Sequence, residues 1–599
     1  MRPRRPRLRH SGSRCLHLSD DTAGARGGID RHGALLSGGG CHAVVDGLGY
    51  CARRRGTDAR HAPRAGESAL IAAKVLRAKR AEHGIGNPRP GDPAPLRTEF
   101  AAGPVAAVVG VTAILLLARC ARYDYFGDEL YFVSAGRRPA VGYVDQGPLV
   151  PMLARAADVI APHSPAALRI PAIVAAVTAI AVTALTAREL GGGRRAQLLA
   201  ASVFATCPFL VVQAAALSTF AFDATLSAVA VWLLIRWTRT GRDAAVVAAA
   251  VVVVVDIQVK LLVAVLLVGL AAGFVFAGPR IVVRRRALWA SAGILAVSSA
   301  PALWWQSTHG WPQLAMGAVI DQEQQSATGG VAGLPLQIVL LAGLVGVPMA
   351  LVGCWTLAVE SEWRRYRFVV VAVAVQIGFV VAVDGRPYYL AGYLPVLFAA
   401  GATRLVGRAG PLSPRAMGRV LITSTAMAAA VALVLVCALP RPDSQLYRPT
   451  TDAAELSTRM RVFGTSGWDR LTAAVTNAYR SLPPEQAAHT VVVAQNYWQA
   501  SALDIMAADP LPVYSANRGF AQFGTPPAAM TSALYVSAGD AESLLRRSFS
   551  TVRLLSRLDD PRGFPGIDRS VDLWLCDEPR RPWPQLWSEM TTNTFATGL

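Results

Sequence analysis

From Ala101 onward the chain is a succession of apolar runs, each about as long as the hydrocarbon core of a bilayer is thick. A helix needs roughly 20 residues to cross that core. Runs of this kind lie at 101–118, 167–187, 196–217, 219–235, 243–257, 260–277, 287–304, 334–358, 367–383, 388–406 and 417–439, the two near 250 being short. In lipid every backbone N–H and C=O must be satisfied within the protein, so segments of this length span as helices. Composition agrees: 53% of the 599 residues are hydrophobic and 16% charged, against about 25% charged in soluble proteins. The expectation is a polytopic α-helical membrane protein with about eleven transmembrane helices.

The net charge of +20 is distributed in a way that argues against nucleic acid as a partner. About half of the excess lies ahead of the first span. Most of the rest lies in short loops such as "ARELGGGRR", "RWTRTGR", "PRIVVRRR", "ESEWRRYR" and "RLVGRAGPLSPRAMGR". These occupy alternate gaps between spans, which makes their side cytoplasmic by the positive-inside rule. Residues 1–97 precede the first span on that side. They are Arg-, Gly- and His-rich, with "ALLSGGG" too short for a signal-peptide core. They read as a basic cytoplasmic tail, disordered, or as sequence ahead of the true start. Eight scattered Cys residues without a CxxC indicate neither a disulfide framework nor a zinc site. No cofactor is called for, with a divalent cation left open.

The expected division is a tail (1–97), a transmembrane domain (98–439) and a C-terminal α/β domain (440–599). In the last, "TVVVAQ", "LPVYS", "ALYVSAG" and "VDLWLC" read as strands and "DAESLLRRSF" as a helix. An odd number of spans places this domain outside a plasma membrane, with the N-terminus cytoplasmic.

Chemistry collects on the side opposite the Arg-rich loops. "YDYFGDELYF" sets Asp128 and Glu129 among aromatics just past the first span. On the same side fall Tyr143, Asp145 and Gln146, then Asp256 and Lys260 between spans, His309, and Arg386, Tyr388 and Tyr389 in "DGRPYY". Asp223 lies near the start of its span. Ionisable groups at membrane depth usually line a cavity or a pathway. Carboxylates with cations beside lipid suit transfer of a sugar from a polyprenyl phosphate to a hydroxyl. The leaving phosphate needs positive charge, and the acceptor needs a base. A helical Asp256–Lys260 ion pair is the competing reading of that spacing.

Residues 100 to about 530 resemble the glycosyltransferase family 39 type, the bacterial relatives of protein O-mannosyltransferases and of aminoarabinose transferases. The resemblance rests on "GDELYFVSAGRRPAVGYVDQGPLVPMLAR", "ARELGGGRRAQLLA", "WWQSTHGWPQL", "GRPYYLAGYLPVLFAAGA" and "NYWQASALD…LPVYS", in that order. It implies a GT-C fold and an inverting transfer of mannose or a pentose from a polyprenyl-phosphate donor. The acceptor is a glycan, lipid or protein. By position, the resemblance makes Asp128 the base and Glu129 its partner. Lys260 and Arg386 would hold donor phosphate, and Tyr388 and Tyr389 would contact the carrier. Tyr143, Asp145, Gln146, Asp223, His309 and Gln499 are candidates for the substrate site. The family's "NYGEAGALD" reads "NYWQASALD" here, with Trp498, Gln499 and Ser501 replacing Gly, Glu and Gly. That departure points to the acceptor end of the site. Two rival readings are a transporter or flippase of lipid-linked sugars and a non-catalytic relative that binds them.

Overall fold

The computed structural model describes residues 98–328, 330–407 and 465–595, with Arg419, Glu455, Leu456, Arg459 and Met460 besides. All of these belong to one compact unit, Pro88–Leu599. The tail 1–97, the span expected at 417–439 (Arg419 apart) and the junction at 440 lie outside the described residues.

The expected run at 101–118 forms α1 (Ala102–Cys120). Two helices that the sequence read as loop follow, α2 (Gly127–Gly136) and α3 (Leu149–Ile160). Next come α4 (Pro165–Glu189), α5 (Arg194–Ala205), α6 (Pro208–Gln213) and α7 (Thr219–Thr240). The run expected as one span at 196–217 is therefore two pieces. Pro208 has no N–H to continue the ladder, and the chain turns at Cys207. The short pair near 250 forms α8 (Ala244–Ile257) and α9 (Val263–Phe276). After α10 (Arg286–Thr308), the expected loop again carries a helix, α11 (Pro312–Thr328). Then come α12 (Leu334–Val359), α13 (Arg367–Ala382), a 3-10 turn over Pro387–Tyr393, and α14 (Leu394–Val406).

Seven of the described helical stretches are long and apolar enough to cross a membrane, and α8 and α9 are shorter apolar helices. Glycine lets these helices approach closely, as small residues do in lipid. A Cβ on Gly353 of α12 would fall 2.0 Å from Leu397 O of α14, and one on Gly401 would fall 2.3 Å from Met349 O. The two backbones therefore touch. Helix α12 is interrupted at Gly343, whose φ of 80° is one that other residues rarely adopt.

Beyond α15 (Trp468–Arg480) a five-stranded sheet has the order β2-β1-β3-β5-β4. Its strands are β1 (Thr490–Ala494), β2 (Val513–Tyr514), β3 (Ser532–Val536), β4 (Phe549–Leu558) and β5 (Val571–Pro579). β1 pairs in parallel with β2 and β3, and β5 runs antiparallel to β3 and β4. β1 and β3 are buried along their whole length, as the unbroken "VVV" of β1 requires of a central strand. β4 is largely exposed and carries Arg553 and Arg557 on its open edge, a charge pattern that discourages further strand addition. Helix α16 (Tyr497–Met506) follows β1, α17 (Glu542–Ser548) leads into β4, and α18 (Trp583–Met590) follows β5.

Candidate active site

Helix α2 is the hinge between the two halves. Arg138, just past its end, makes a bidentate pair with Asp504 of α16 at 2.7 and 2.8 Å. Ser134 Oγ donates to the same carboxylate at 2.8 Å. At the other end, Thr465 Oγ1 and Trp468 Nε1 donate to Tyr125 O at 2.7 and 2.9 Å. The start of α16 is thereby pressed onto the start of α2. Tyr497 OH and Trp498 Nε1 both donate to Asp128 Oδ1, at 2.6 and 2.9 Å. Asp128 Oδ2 has no hydrogen bond among the described residues, and the residue is half-buried. One oxygen is held and the other is open. Gly127 makes this fit possible, since a Cβ there would fall 2.1 Å from the Trp498 ring.

Glu129 has a different task. Its Oε1 accepts from Arg169 Nε at 3.0 Å and Leu217 N at 2.8 Å. Its Oε2 accepts from Arg169 Nη2 at 2.7 Å and from Phe126 N at 2.9 Å, the latter a cap for α2. Four donors use the four lone-pair positions of a carboxylate, and the residue is fully buried. Arg169 spends its other hydrogens on the carbonyls of Cys120, Tyr123 and Asp124. The geometry thus ties α1, α2, α4 and the start of α7 together through Glu129, which has nothing left to offer a substrate. The neighbouring Asp124 carboxyl is pushed up to about 6, chiefly by burial.

Asp145 joins Asp128 by way of a backbone zipper. Gly147 N and Leu149 N donate to Val259 O and Gln258 O, both at 2.9 Å. This brings the 143–149 turn against the segment that carries Lys260. Tyr131 OH donates to Asp145 Oδ1 at 3.2 Å. Burial raises the Asp145 carboxyl, while Lys260 and Arg518 oppose the shift and Asp128 adds to it. Lys260 places its ammonium 4.4 Å from the centre of the Phe220 ring and feels Asp145, Asp223, Arg386 and Asp128. It makes no ion pair with Asp256 among the described residues. Asp256 Oδ2 instead accepts from Ser227 Oγ at 3.3 Å.

Two arginines face this cluster from opposite halves of the protein. Arg386 Nη2 donates to Glu323 Oε2 of α11 at 3.0 Å, and its buried Nε has no partner among the described residues. Arg518 pairs with Glu323 Oε1 and donates to Tyr497 OH at 3.4 Å. Arg518 has a φ of 47°, and its Nε donates to Asn593 O at 2.9 Å. Tyr388 packs at a tilt of 52° against Phe220 with ring centres 4.1 Å apart, and Tyr389 lies 5.3 Å from Tyr388. Asp223 lies inside α7 rather than at its cap, which is Ser218.

Three other expected residues stand elsewhere. Tyr143 OH bonds Ala135 O, Arg138 O and Ala140 N, which closes the turn after α2. Gln499 is buried in a reciprocal cap with Asn496, and its Nε2 donates to Ser537 O and Gly566 O at 2.8 and 2.9 Å. It holds the C-terminal domain together instead of facing an acceptor. His309 stacks on Trp305, and its Nδ1 lies 2.8 Å from Trp305 O. Among the described residues its hydrogen-bond and ring contacts are with Thr308 and Trp305, and none is with the Asp128 cluster. Gln146 is buried, with its carbonyl taken by Tyr143 N and Gln313 Nε2 and its own Nε2 unpartnered among the described residues. Sequence reading missed Tyr497, Arg518 and Glu323, and it read Trp498 as a departure at the acceptor end instead of a donor to Asp128. The Gly-to-Trp change at 498 was the available signal. Among the described residues no group of three or more His, Cys, Asp or Glu could hold a metal ion.

A helical membrane body bearing a C-terminal α/β domain, with the Asp128 carboxylate where the two meet, defines a GT-C-like membrane protein. The chain resembles the glycosyltransferase family 39 type. Residues 145–305 match the family described as dolichyl-phosphate-mannose-protein mannosyltransferase. ArnT from Cupriavidus metallidurans in its apo state superimposes with a TM-score of 0.55 at 16% identity, over 80% of this chain and 98% of that one. The same enzyme bound to undecaprenyl phosphate gives 0.52 at 14% identity, over 79% and 98%. No curated protein matches the sequence.

Proposed function

We propose that the protein is a glycosyltransferase that moves a sugar, mannose or a pentose, from a polyprenyl phosphate to an acceptor hydroxyl with inversion. The carrying observation is Asp128, with Oδ1 clamped by Tyr497 and Trp498 and Oδ2 free of hydrogen bonds among the described residues, near the cations Lys260 and Arg518. In the reaction, Oδ2 takes the acceptor proton as the acceptor oxygen bonds to the anomeric carbon. The bond from that carbon to the phosphate oxygen breaks on the opposite face. The leaving phosphate gains negative charge, and preorganised cations stabilise such charge where water is excluded. Tyr388 and Phe220 offer an aromatic wall to the carrier at the membrane surface.

The Arg-rich ends of α4 and α7, where Glu189 meets Arg236 and Arg239, lie at the other end of those helices from the Asp128 cleft. By the positive-inside rule this supports a cytoplasmic side for the arginines and an extracytoplasmic one for the cleft and C-terminal domain. The acceptor is a glycan, lipid or protein of the cell envelope. Asp128→Asn tests the reading in purified protein with a radiolabelled polyprenyl-phosphate sugar. Turnover should fall by about 10² to 10⁴ with donor binding retained. Turnover near wild type would refute a base at this position.

A further inference from the structure

A small cavity opens between α7, α9, α13 and the 387–393 turn. Its polar lining is Asp223, Ser227, Gln376, Tyr389 and Tyr393, with Leu262, Val263 and Leu266 as its apolar wall. Asp223 Oδ1, Gln376 Oε1 and Tyr393 OH are buried there without a hydrogen-bond partner among the described residues, and Asp256 Oδ1 is in the same condition. Asp223, Gln376 and Tyr393 are 8%, 3% and 2% exposed, and Asp256 is 0% exposed. Ser227 Oγ lines the cavity while donating to Asp256 Oδ2, which couples the second carboxylate to the first. Buried polar atoms are seldom left orphaned, and four together call for an occupant.

The chemistry of the lining narrows what that occupant is. Every orphaned atom is an oxygen able to coordinate, and of the four only Tyr393 OH also has a proton to donate, so what is missing is a cation or a group that mainly donates. The free space is about 10 Å³, room for one water-sized particle and too little for a sugar ring. Asp223 faces the ammonium of Lys260, which Asp145 and Asp128 also draw, while Asp256 faces Asp223 and has no Lys or Arg ion pair among the described residues. One positive charge is lacking. Hard cations take oxygen ligands, and a divalent ion demands either more carboxylates or retained waters than this space admits.

We infer that the membrane domain binds one small monovalent cation of the sodium class, coordinated by Asp223, Gln376, Ser227 and Tyr393. The ion balances the Asp223–Asp256 pair and ties α7 to α13 and to the turn that carries Tyr388 and Tyr389. The inference stands independently of the proposed transfer.

The test is thermal unfolding of the purified full-length protein in detergent, at fixed ionic strength, with sodium chloride progressively replacing choline chloride. Wild type should gain several degrees in Tm along a saturable curve, since a ligand that binds only the folded state stabilises by mass action. Asp223→Asn should abolish the sodium response. Tyr393→Phe removes a single oxygen and should raise the sodium midpoint about tenfold, which keeps the test available where Asp223→Asn does not fold. Superimposed sodium and choline curves would overturn the inference. A sodium response unchanged in both variants would place the ion elsewhere and refute this site.

Discussion

Trp498 donates its indole N–H to Asp128 Oδ1 at 2.9 Å, and its ring fills the space that Gly127 leaves by having no side chain. A residue of the C-terminal domain thereby orients the carboxylate proposed as the base, which stands at the first turn of a helix bound to the membrane body.

Trp498→Phe keeps an aromatic ring but removes one of the two donors to Oδ1. Hydrogen bonds to charged groups contribute about 1.5–3 kcal/mol. The expected result is a fall of roughly tenfold or more in kcat, with little change in donor affinity, read by steady-state kinetics beside equilibrium binding of the polyprenyl phosphate.

Gly127→Ala should displace the same indole, because the new Cβ would lie 2.1–2.5 Å from three Trp498 ring atoms. Activity should drop about as far as in Trp498→Phe. Combining Gly127→Ala with Trp498→Gly removes the clash, so the double variant should be no worse than Trp498→Gly alone. Kinetics on all four proteins form a double-mutant cycle whose coupling energy reports the contact.

Glu129→Ala should act on folding rather than on turnover per folded molecule. It strands the buried Arg169 guanidinium, 2% exposed, without its carboxylate. Breaking a buried pair by removing one partner costs about 3–5 kcal/mol. Yield of monodisperse protein and Tm should fall sharply, and the fraction that folds should retain donor binding.

Glu323 links Arg386 and Arg518, the two guanidinium groups nearest the proposed phosphate position. A phosphate entering between them must compete with this carboxylate. Glu323→Gln should lower the Kd for undecaprenyl phosphate by about tenfold at low salt, with the gain shrinking as ionic strength rises. Isothermal titration at two salt concentrations measures both effects.

Asp124, between α1 and α2, has its carboxyl raised to about 6 by burial. A carboxyl raised on folding favours the protonated form in the native state. Its contribution is fully present below the unfolded value near 4 and is lost as pH rises through about 6. Asp124→Asn removes that dependence. The variant should match wild type in Tm near pH 4 and exceed it above pH 6.5, and melting curves over that window check the sign.

The sequence alone determined the membrane body, because the length of an apolar run and the arginines beside it are local properties that a bilayer reads directly. Ten of the eleven expected runs are helical in the described residues, and the eleventh lies outside them. The α/β character of the C-terminal domain was legible for the same reason, in short β-branched runs separated by turns. Asp128 stood out by its aromatic setting. Adjacency in sequence could not separate its role from that of Glu129, since consecutive residues on a helix point about 100° apart. Only the fold turns one toward the cleft and the other into Arg169. Helix α11 was hidden because its polar sequence gives no apolar run to count, and Glu323 went unnoticed with it. Gln499 read as a contact for the acceptor until the cap at Asn496 and the carbonyls of Ser537 and Gly566 claimed its amide. Tyr497, Trp498 and Arg518 lie some 370 residues or more from Asp128 in the chain. Periodicity and spacing describe what neighbours in sequence can do. Which distant donors meet one carboxylate is decided by the packing of α16 on α2, and that is a property of the tertiary structure.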